Sequence, residues 1–185
     1  MKKLLVFILL VFVAVLFAGI YGVIHDQITY TVSPEYYTKF KFHQFGLINS
    51  PLPDRVRVAI VGFLASWWMG VPIGMLVGLL GFIHRGYRRM LDVSIRSFAL
   101  VVVFTLTIGL LGLAYGFLKM SSIDRTAYAE WFIPPDVVDL RRYICVGYMH
   151  NASYIGGALS ILAAWIYHIA VRIRANAPKP GTRSM

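Results

Sequence analysis

Four long apolar runs set the frame of this chain. Residues 4–24, 56–83, 98–118 and 144–171 are dominated by aliphatic, aromatic and small side chains. Each meets or exceeds the ~20 residues that a helix needs to cross the hydrocarbon core of a bilayer. The pattern predicts an all-α membrane protein: an antiparallel bundle of four transmembrane helices over residues 1–174, with loops at 25–55 and 119–143 and a flexible tail at 175–185. The first run follows Lys2 and Lys3, as a secretory signal would. It is about twice the length of a signal's core and lacks the small-residue pair of a cleavage site, so the expectation is an uncleaved first helix.

Within the second run, Gly62, Ser66, Gly70, Gly74 and Gly78 recur every four residues. In lipid no hydrophobic drive pulls helices together, and a stripe of small residues supplies packing by letting backbones approach. The fourth run repeats the spacing at Ala152, Gly156, Ser160 and Ala164, which makes it the expected partner. Gly112 and Gly116 give the third run a smaller groove. Pro72 removes one helical hydrogen bond and predicts a kink near Trp68.

The polar stretches are more specific. Between the first two runs lies HDQITYTVSPEYYTKFKFHQF, residues 25–45. The alternation in residues 28–32 reads as a short extended segment. Ser33-Pro34-Glu35 reads as a helix start, with the Ser33 hydroxyl as cap. A short interfacial helix then runs from Pro34 to about Phe45, ended by Gly46, and its interleaved aromatics and lysines should lie at the membrane surface. In the other long loop, 124–128 reads as a capped helical turn. Pro134-Pro135-Asp136 should start the last helix at about Val137.

Composition fixes the solvent. With 58% hydrophobic and 14% charged residues among 185, a water-soluble domain is excluded. The single cysteine, Cys145, excludes an internal disulfide and thiolate clusters within one chain; a small buried apolar role is expected for it. A net charge of +10 would suggest nucleic acid in a soluble protein, but here its distribution assigns it to topology. The termini and the middle loop carry ten bases against one acid, and the other loops eight bases against seven acids. The dense arginines of the short middle loop decide the side. Both termini are therefore expected in the cytoplasm, with a small periplasmic cap made from the two longer loops. The expected partners are the lipid bilayer, anionic lipid headgroups at the middle-loop arginines, and a possible membrane-protein partner or homo-oligomer; no nucleic acid is expected.

Candidate chemistry gathers at one depth. His25, Asp26, Gln27, His150 and Asn151 should share the outer boundary, and polar groups at membrane depth are expensive enough to demand a reason. Three readings compete. The residues hydrogen-bond one another and pin the cap to the bundle; or His25 and His150 hold a metal ion or a haem iron between them; or one of the imidazoles titrates on a proton or solute path. The first needs no cofactor and gives a non-enzymatic accessory or interaction protein. The second gives a histidine-ligated redox protein, the third a small transporter component, although only Ser66 and Ser160 offer to line a path. His84 and His168 pair in depth at the opposite boundary, where snorkelling among arginines is expected. Zinc-protease, P-loop, dinucleotide and nucleophile-elbow motifs are absent from the sequence.

The string HDQITYTVSPEYYTKFKFHQF, together with GYMHNASYIGG in the last run, resembles a family of bacterial multi-pass inner-membrane proteins. The resemblance implies a bacterial inner-membrane location. It brings no activity, cofactor or catalytic residue.

Overall fold

The structure is a computed structural model, and it describes residues 1–119 and 125–177. Four helices are long and apolar enough to span a membrane: α1 (Lys2–Val32), α3 (Asp54–Ile83), α4 (Tyr87–Lys119) and α5 (Leu140–Asn176). A short irregular helix, α2 (residues 34–44), lies between the first two. No strand occurs among the described residues.

The first helix runs through the stretch that the alternation marked as extended. Thr29 donates its hydroxyl back to the carbonyl of His25 at 3.2 Å and Thr31 to that of Gln27 at 2.9 Å, so both polar side chains are satisfied inside the helix. The Tyr30 hydroxyl reaches Asp54 at 2.9 Å, and the Arg55 guanidinium covers the Tyr30 ring at 4.8 Å. These tertiary contacts override the local strand preference.

Extended backbone at Ser33 ends α1, and Pro34 opens α2. The Ser33 hydroxyl does not cap α2; it is buried without a partner. The middle of α2, Tyr37–Lys41, is π-helical, and Gly46 ends it in the left-handed region at φ 68°. In α3, a 3-10 turn at Trp67–Met69 breaks the α-helix one turn before Pro72, where the missing proline N–H leaves the carbonyl of Trp68 to bond Gly70 instead. Gly86, at φ 82°, turns the chain into α4, which starts eleven residues before the apolar run does. The last helix starts at Leu140, later than Pro134-Pro135-Asp136 suggested, because Asp139 caps it by accepting from the Arg142 N–H at 3.0 Å. Arg125–Tyr128 forms a 3-10 turn; its expected cap, Asp124, lies outside the described residues, as does the tail from Pro178.

The helices pair as α1 with α3 and α4 with α5, so the expected pairing of the second and fourth runs is corrected. A Cβ added at Gly62 would lie 2.3 Å from the carbonyl oxygen of Gly22, and one at Gly70 2.4 Å from the Cα of Val15. Gly74 faces Ala14, and Gly78 faces Phe7. The stripe of α3 is thus taken up by α1, which meets it with Ala14, Val15 and Gly22, while Gly19 receives the Phe63 ring. Across the other pair, Gly112 faces Ala152 and Gly156 faces Ile108, while Ser160 bonds its own helix at the Gly157 carbonyl, 2.7 Å away. Between the α1–α3 and α4–α5 pairs, Trp165 reaches the Leu76 carbonyl at 3.1 Å. Large side chains point away from these seams: Phe12 is 67% exposed and Leu16 55%, whereas Leu10 and Ala14 on the opposite face of α1 are buried. Small residues at the helix seams with large aliphatic groups turned outward suit lipid as solvent.

At the end away from the termini, α2 packs on the connection before α5. The Glu35 carboxylate accepts from the N–H groups of Val138 and Asp139 at 3.1 and 2.7 Å, and Lys39 pairs with it at 2.6 Å. Burial works against the charged carboxylate, but Lys39 and those two N–H groups outweigh it and hold Glu35 below the usual carboxylate range. The two long connections are thereby held together over the helix ends.

Gly62→Val tests the pairing. The added side chain meets backbone of Gly22, which has no rotamer to yield, so overpacking should cost about 1–3 kcal/mol or more and lower the thermal denaturation midpoint in detergent. Ala18→Gly, at a position that lines the space between the helix pairs and adds no atom, should shift it far less.

Candidate functional site

Spacings of three and four residues place Ala14, Ala18, Tyr21 and His25 on one face of α1. The same rule aligns His150, Ser153 and Gly157 on α5, and these two faces look at each other. His25 and His150 meet ring to ring, with centroids 4.6 Å apart and planes inclined by 65°. Asp26 Oδ1 lies at hydrogen-bond distance, 2.9 Å, from Nδ1 of the same histidine, His25. Each of His25, Asp26 and His150 offers one ligand-type atom within 4.8 Å of the others. His25 and Asp26 are each only 3% exposed.

The fold-back of α2 closes this cluster on the side away from the termini. Tyr36 stacks on His150 with centroids 5.0 Å apart and planes 17° from parallel. The Tyr37 hydroxyl meets Thr29 Oγ1 at 2.5 Å, which fixes the turn between α1 and α2. Lys41, also from α2, reaches the cluster's edge. Burial pushes its pKa down while Asp26 pulls it up, and its ammonium is occupied by Gln44 Oε1 at 3.0 Å and the Phe40 ring at 4.9 Å.

On its other side the cluster opens into a cavity of ≈ 100 Å³, lined by all four spanning helices at the seam between the two tight pairs. Phe17, Ile73, Phe98 and Val101 make its deeper wall apolar. Toward the cluster the lining turns polar through Tyr21, Thr105 and Ser153. Among the described residues, ten buried side-chain polar atoms lack a hydrogen-bond partner, and six of them line this one cavity: Tyr21 Oη, His25 Nε2, Asp26 Oδ2, Thr105 Oγ1, His150 Nε2 and Ser153 Oγ. Tyr21 and Ser153 interact electrostatically across it without a well-formed hydrogen bond. Buried polar atoms in native proteins are paired in the great majority of cases, so this concentration marks the cavity as the candidate site.

The structure divides the residues that the sequence grouped. His25, Asp26 and His150 come together; Gln27 and Asn151 do not join them. Gln27 points to the α3 side, donating to the Arg55 carbonyl at 2.8 Å and accepting from its guanidinium at 3.0 Å. Asn151 is exposed and lies beside Trp131 and Phe132. One residue along a helix is a turn of about 100°, which is enough to send Gln27 and Asn151 off the shared face. The mutual hydrogen bonding expected of the group reduces to the single His25–Asp26 contact. Tyr21, Ser153, Thr105 and Lys41 are cavity residues that sequence reasoning missed; the first two were legible from their spacing to His25 and His150.

Geometry also bears on haem. Iron held between two imidazoles by bonds of roughly 2 Å would set ring centroids about 6 Å apart, and a macrocycle would have to lie between them. At 4.6 Å and edge to face, His25 and His150 leave no such slot. Ser66 lines the cavity and Ser160 does not, so the polar lining of the seam differs from the one read from the sequence.

At the terminal end, His84 Nε2 lies 3.0 Å from His168 Nδ1, and the two are 3% and 0% exposed. They are a buried pair, which corrects the expectation of snorkelling. Lys3 donates to the carbonyls of Phe82 and His84 at 3.1 and 2.7 Å and ties the N-terminus to this turn. Cys145 is buried beside Tyr128 and Ile144. Comparisons of the chain with protein-family models, with curated proteins and with solved structures find no match.

Burial lowers the pKa of His84, and Arg89, Arg172 and Lys3 lower it further. A denatured chain, with its histidine near 6.5, then takes up protons that the folded state refuses. Stability is full above that value and declines as pH falls below it. The denaturation midpoint in detergent should therefore drop as pH is lowered from 7.5 to 5, and His84→Gln should flatten that slope.

Proposed function

We propose that this protein is a non-enzymatic binding component of a bacterial inner membrane, one that holds a lipophilic molecule with an oxygen-bearing polar head in the cavity between its helix pairs. The observation that carries the reading is the set of six unpartnered buried polar atoms at one end of an otherwise apolar, membrane-depth cavity. Ligand sites are mostly apolar concavities with a few convergent polar groups, and in lipid an unsatisfied polar atom has no water to fall back on. The apolar wall at Phe17 and Phe98 suits a hydrocarbon portion, and the hydroxyls of Tyr21, Thr105 and Ser153 suit the head.

The inner-membrane location is supported by the resemblance of residues 25–45, and the sidedness by the density of bases at the terminal end. In this reading both termini are cytoplasmic, α2 and the connection before α5 form a periplasmic cap, and Arg85, Arg88 and Arg89 meet anionic lipid headgroups.

Gly157 supplies the test. It is buried, lines the cavity, and nothing lies within 4 Å of where its Cβ would be. Gly157→Leu should fill the space and leave the fold intact. Wild-type protein extracted in mild detergent and examined by native mass spectrometry should carry a bound lipophile, and Gly157→Leu should lose it with its denaturation midpoint shifted by less than that of Gly62→Val. Wild-type protein free of any bound lipophile, or equal occupancy in the two proteins, would refute the reading.

A further inference from the structure

We propose that His25, Asp26 and His150 bind one first-row divalent transition-metal ion, with Zn²⁺ the fitting case. The inference goes beyond capture of a lipophile and does not depend on it. Three residues from two different helices offer ligand-type atoms within 4.8 Å of one another. Three of their polar atoms, His25 Nε2, Asp26 Oδ2 and His150 Nε2, are buried and have no hydrogen-bond partner. An ion held by one atom of each residue uses the ligand capacity that the single hydrogen bond among them leaves unmet.

The chemistry of the donors selects the ion. Two imidazoles and one carboxylate suit Zn²⁺ and its first-row neighbours, whereas Ca²⁺ and Mg²⁺ want oxygen ligands throughout. Asp26 supplies one negative charge against the ion's two. The Lys41 ammonium, which interacts with Asp26 electrostatically, makes its hydrogen bond to Gln44 and lies over the Phe40 ring. No thiolate competes, since Cys145 packs with Tyr128 and Ile144 elsewhere.

In the structure His25 Nδ1 pairs with Asp26 Oδ1 at 2.9 Å. An ion held by both residues replaces that contact, standing where the hydrogen-bonded proton lay, with release of the proton. Tyr36, stacked on His150, limits rotation of the second ring. Metal–nitrogen bonds of about 2.0–2.1 Å place ligand atoms roughly 3.3 Å apart, so the three side chains have to draw together by side-chain rotation alone. Three protein ligands leave one position of a tetrahedral ion open, and the cavity adjoins it.

The test uses full-length, tag-free protein in a non-chelating detergent, stripped with a chelator and titrated with Zn²⁺ against a chromophoric competitor. Wild type should bind one Zn²⁺ per chain. His25→Ala and His150→Ala should each weaken binding by on the order of 100-fold and Asp26→Asn by on the order of 10-fold, judged against the 10- to 100-fold effect of losing even an orienting partner. Gln27→Ala, Asn151→Ala and His43→Ala should leave it unchanged. Binding should persist in Gly157→Leu, so that failure of the lipophile reading and failure of the metal reading are told apart; its loss there would overturn the three-residue assignment. Equal affinity in wild type and in the His25→Ala/His150→Ala double variant would overturn it as well. Should the alanine variants fail to fold, Co²⁺ loaded into wild type decides: a four-coordinate nitrogen–oxygen ligand-field spectrum is the expected result, and a spectrum like that of the hydrated ion overturns the proposal.

Discussion

Contact between bare backbones of α1 and α3 is the constraint on which the rest of this molecule depends. A Cβ at Gly22 would fall 2.0 Å from the carbonyl oxygen of Gly62, so the two helices touch without side chains between them. Such closeness is what lipid demands, because packing has to replace the hydrophobic drive that water would supply. It also fixes rotation: with Gly22 against α3, the neighbouring Tyr21 and His25 are turned toward α5. The orientation of the candidate site is thus set by a seam that contains none of its residues.

Two such seams cannot both be tight and also close the space between them. The pair α4–α5 makes its own contact at Gly112, Ala152 and Gly156, and the pairs meet along a third face where the residues are of mixed size. Where that face offers Ala14, Ala18, Gly70 and Gly157, nothing fills the gap. A cavity here is therefore a consequence of pairing by small residues and not a flaw in one helix. Its polar end lies where α1 continues past the apolar run, so the length of α1 places His25 and Asp26 at a depth from which α2 can cover them.

Much of this architecture was readable in the chain. The four spans, the break before Pro72 and the stop at Gly46 follow from length, proline and glycine. The pairing was not, although α1 carries small residues of its own at Ala14, Gly19 and Gly22. Inside a run of strong hydrophobes, alanine and glycine read as filler, and only the partner reveals which small residues matter. Residues 28–32 were misjudged for a related reason: threonine and tyrosine favour strands on average, but Thr29 and Thr31 could return their hydroxyls to the helix and Tyr30 found Asp54 across the loop. For the site, proximity of His25 and His150 could be inferred from depth, whereas the exclusion of Gln27 and Asn151 needed the angular position of each on its helix. Helical phase measured from His25 and from His150 separates Gln27 and Asn151 from the shared face, because one residue along a helix turns it by about 100°.

The two histidine pairs show why burial alone does not make a site. At the terminal end, His84 and His168 bond each other at 3.0 Å, and Lys3 seals the turn beside them. That contact holds α5 against the turn after α3 and leaves one buried nitrogen, His168 Nε2, without a partner. At the far end, His25 and His150 stand closer, 4.6 Å between centroids against 5.1 Å, yet share no hydrogen bond and face a space with further unpaired hydroxyls. Around His25 and His150 three polar atoms of the cluster stay unpartnered beside the one His25–Asp26 bond, against one atom at the other end, and each such atom in lipid costs free energy. The difference between the two ends is what favours an occupant for the first and a purely structural role for the second.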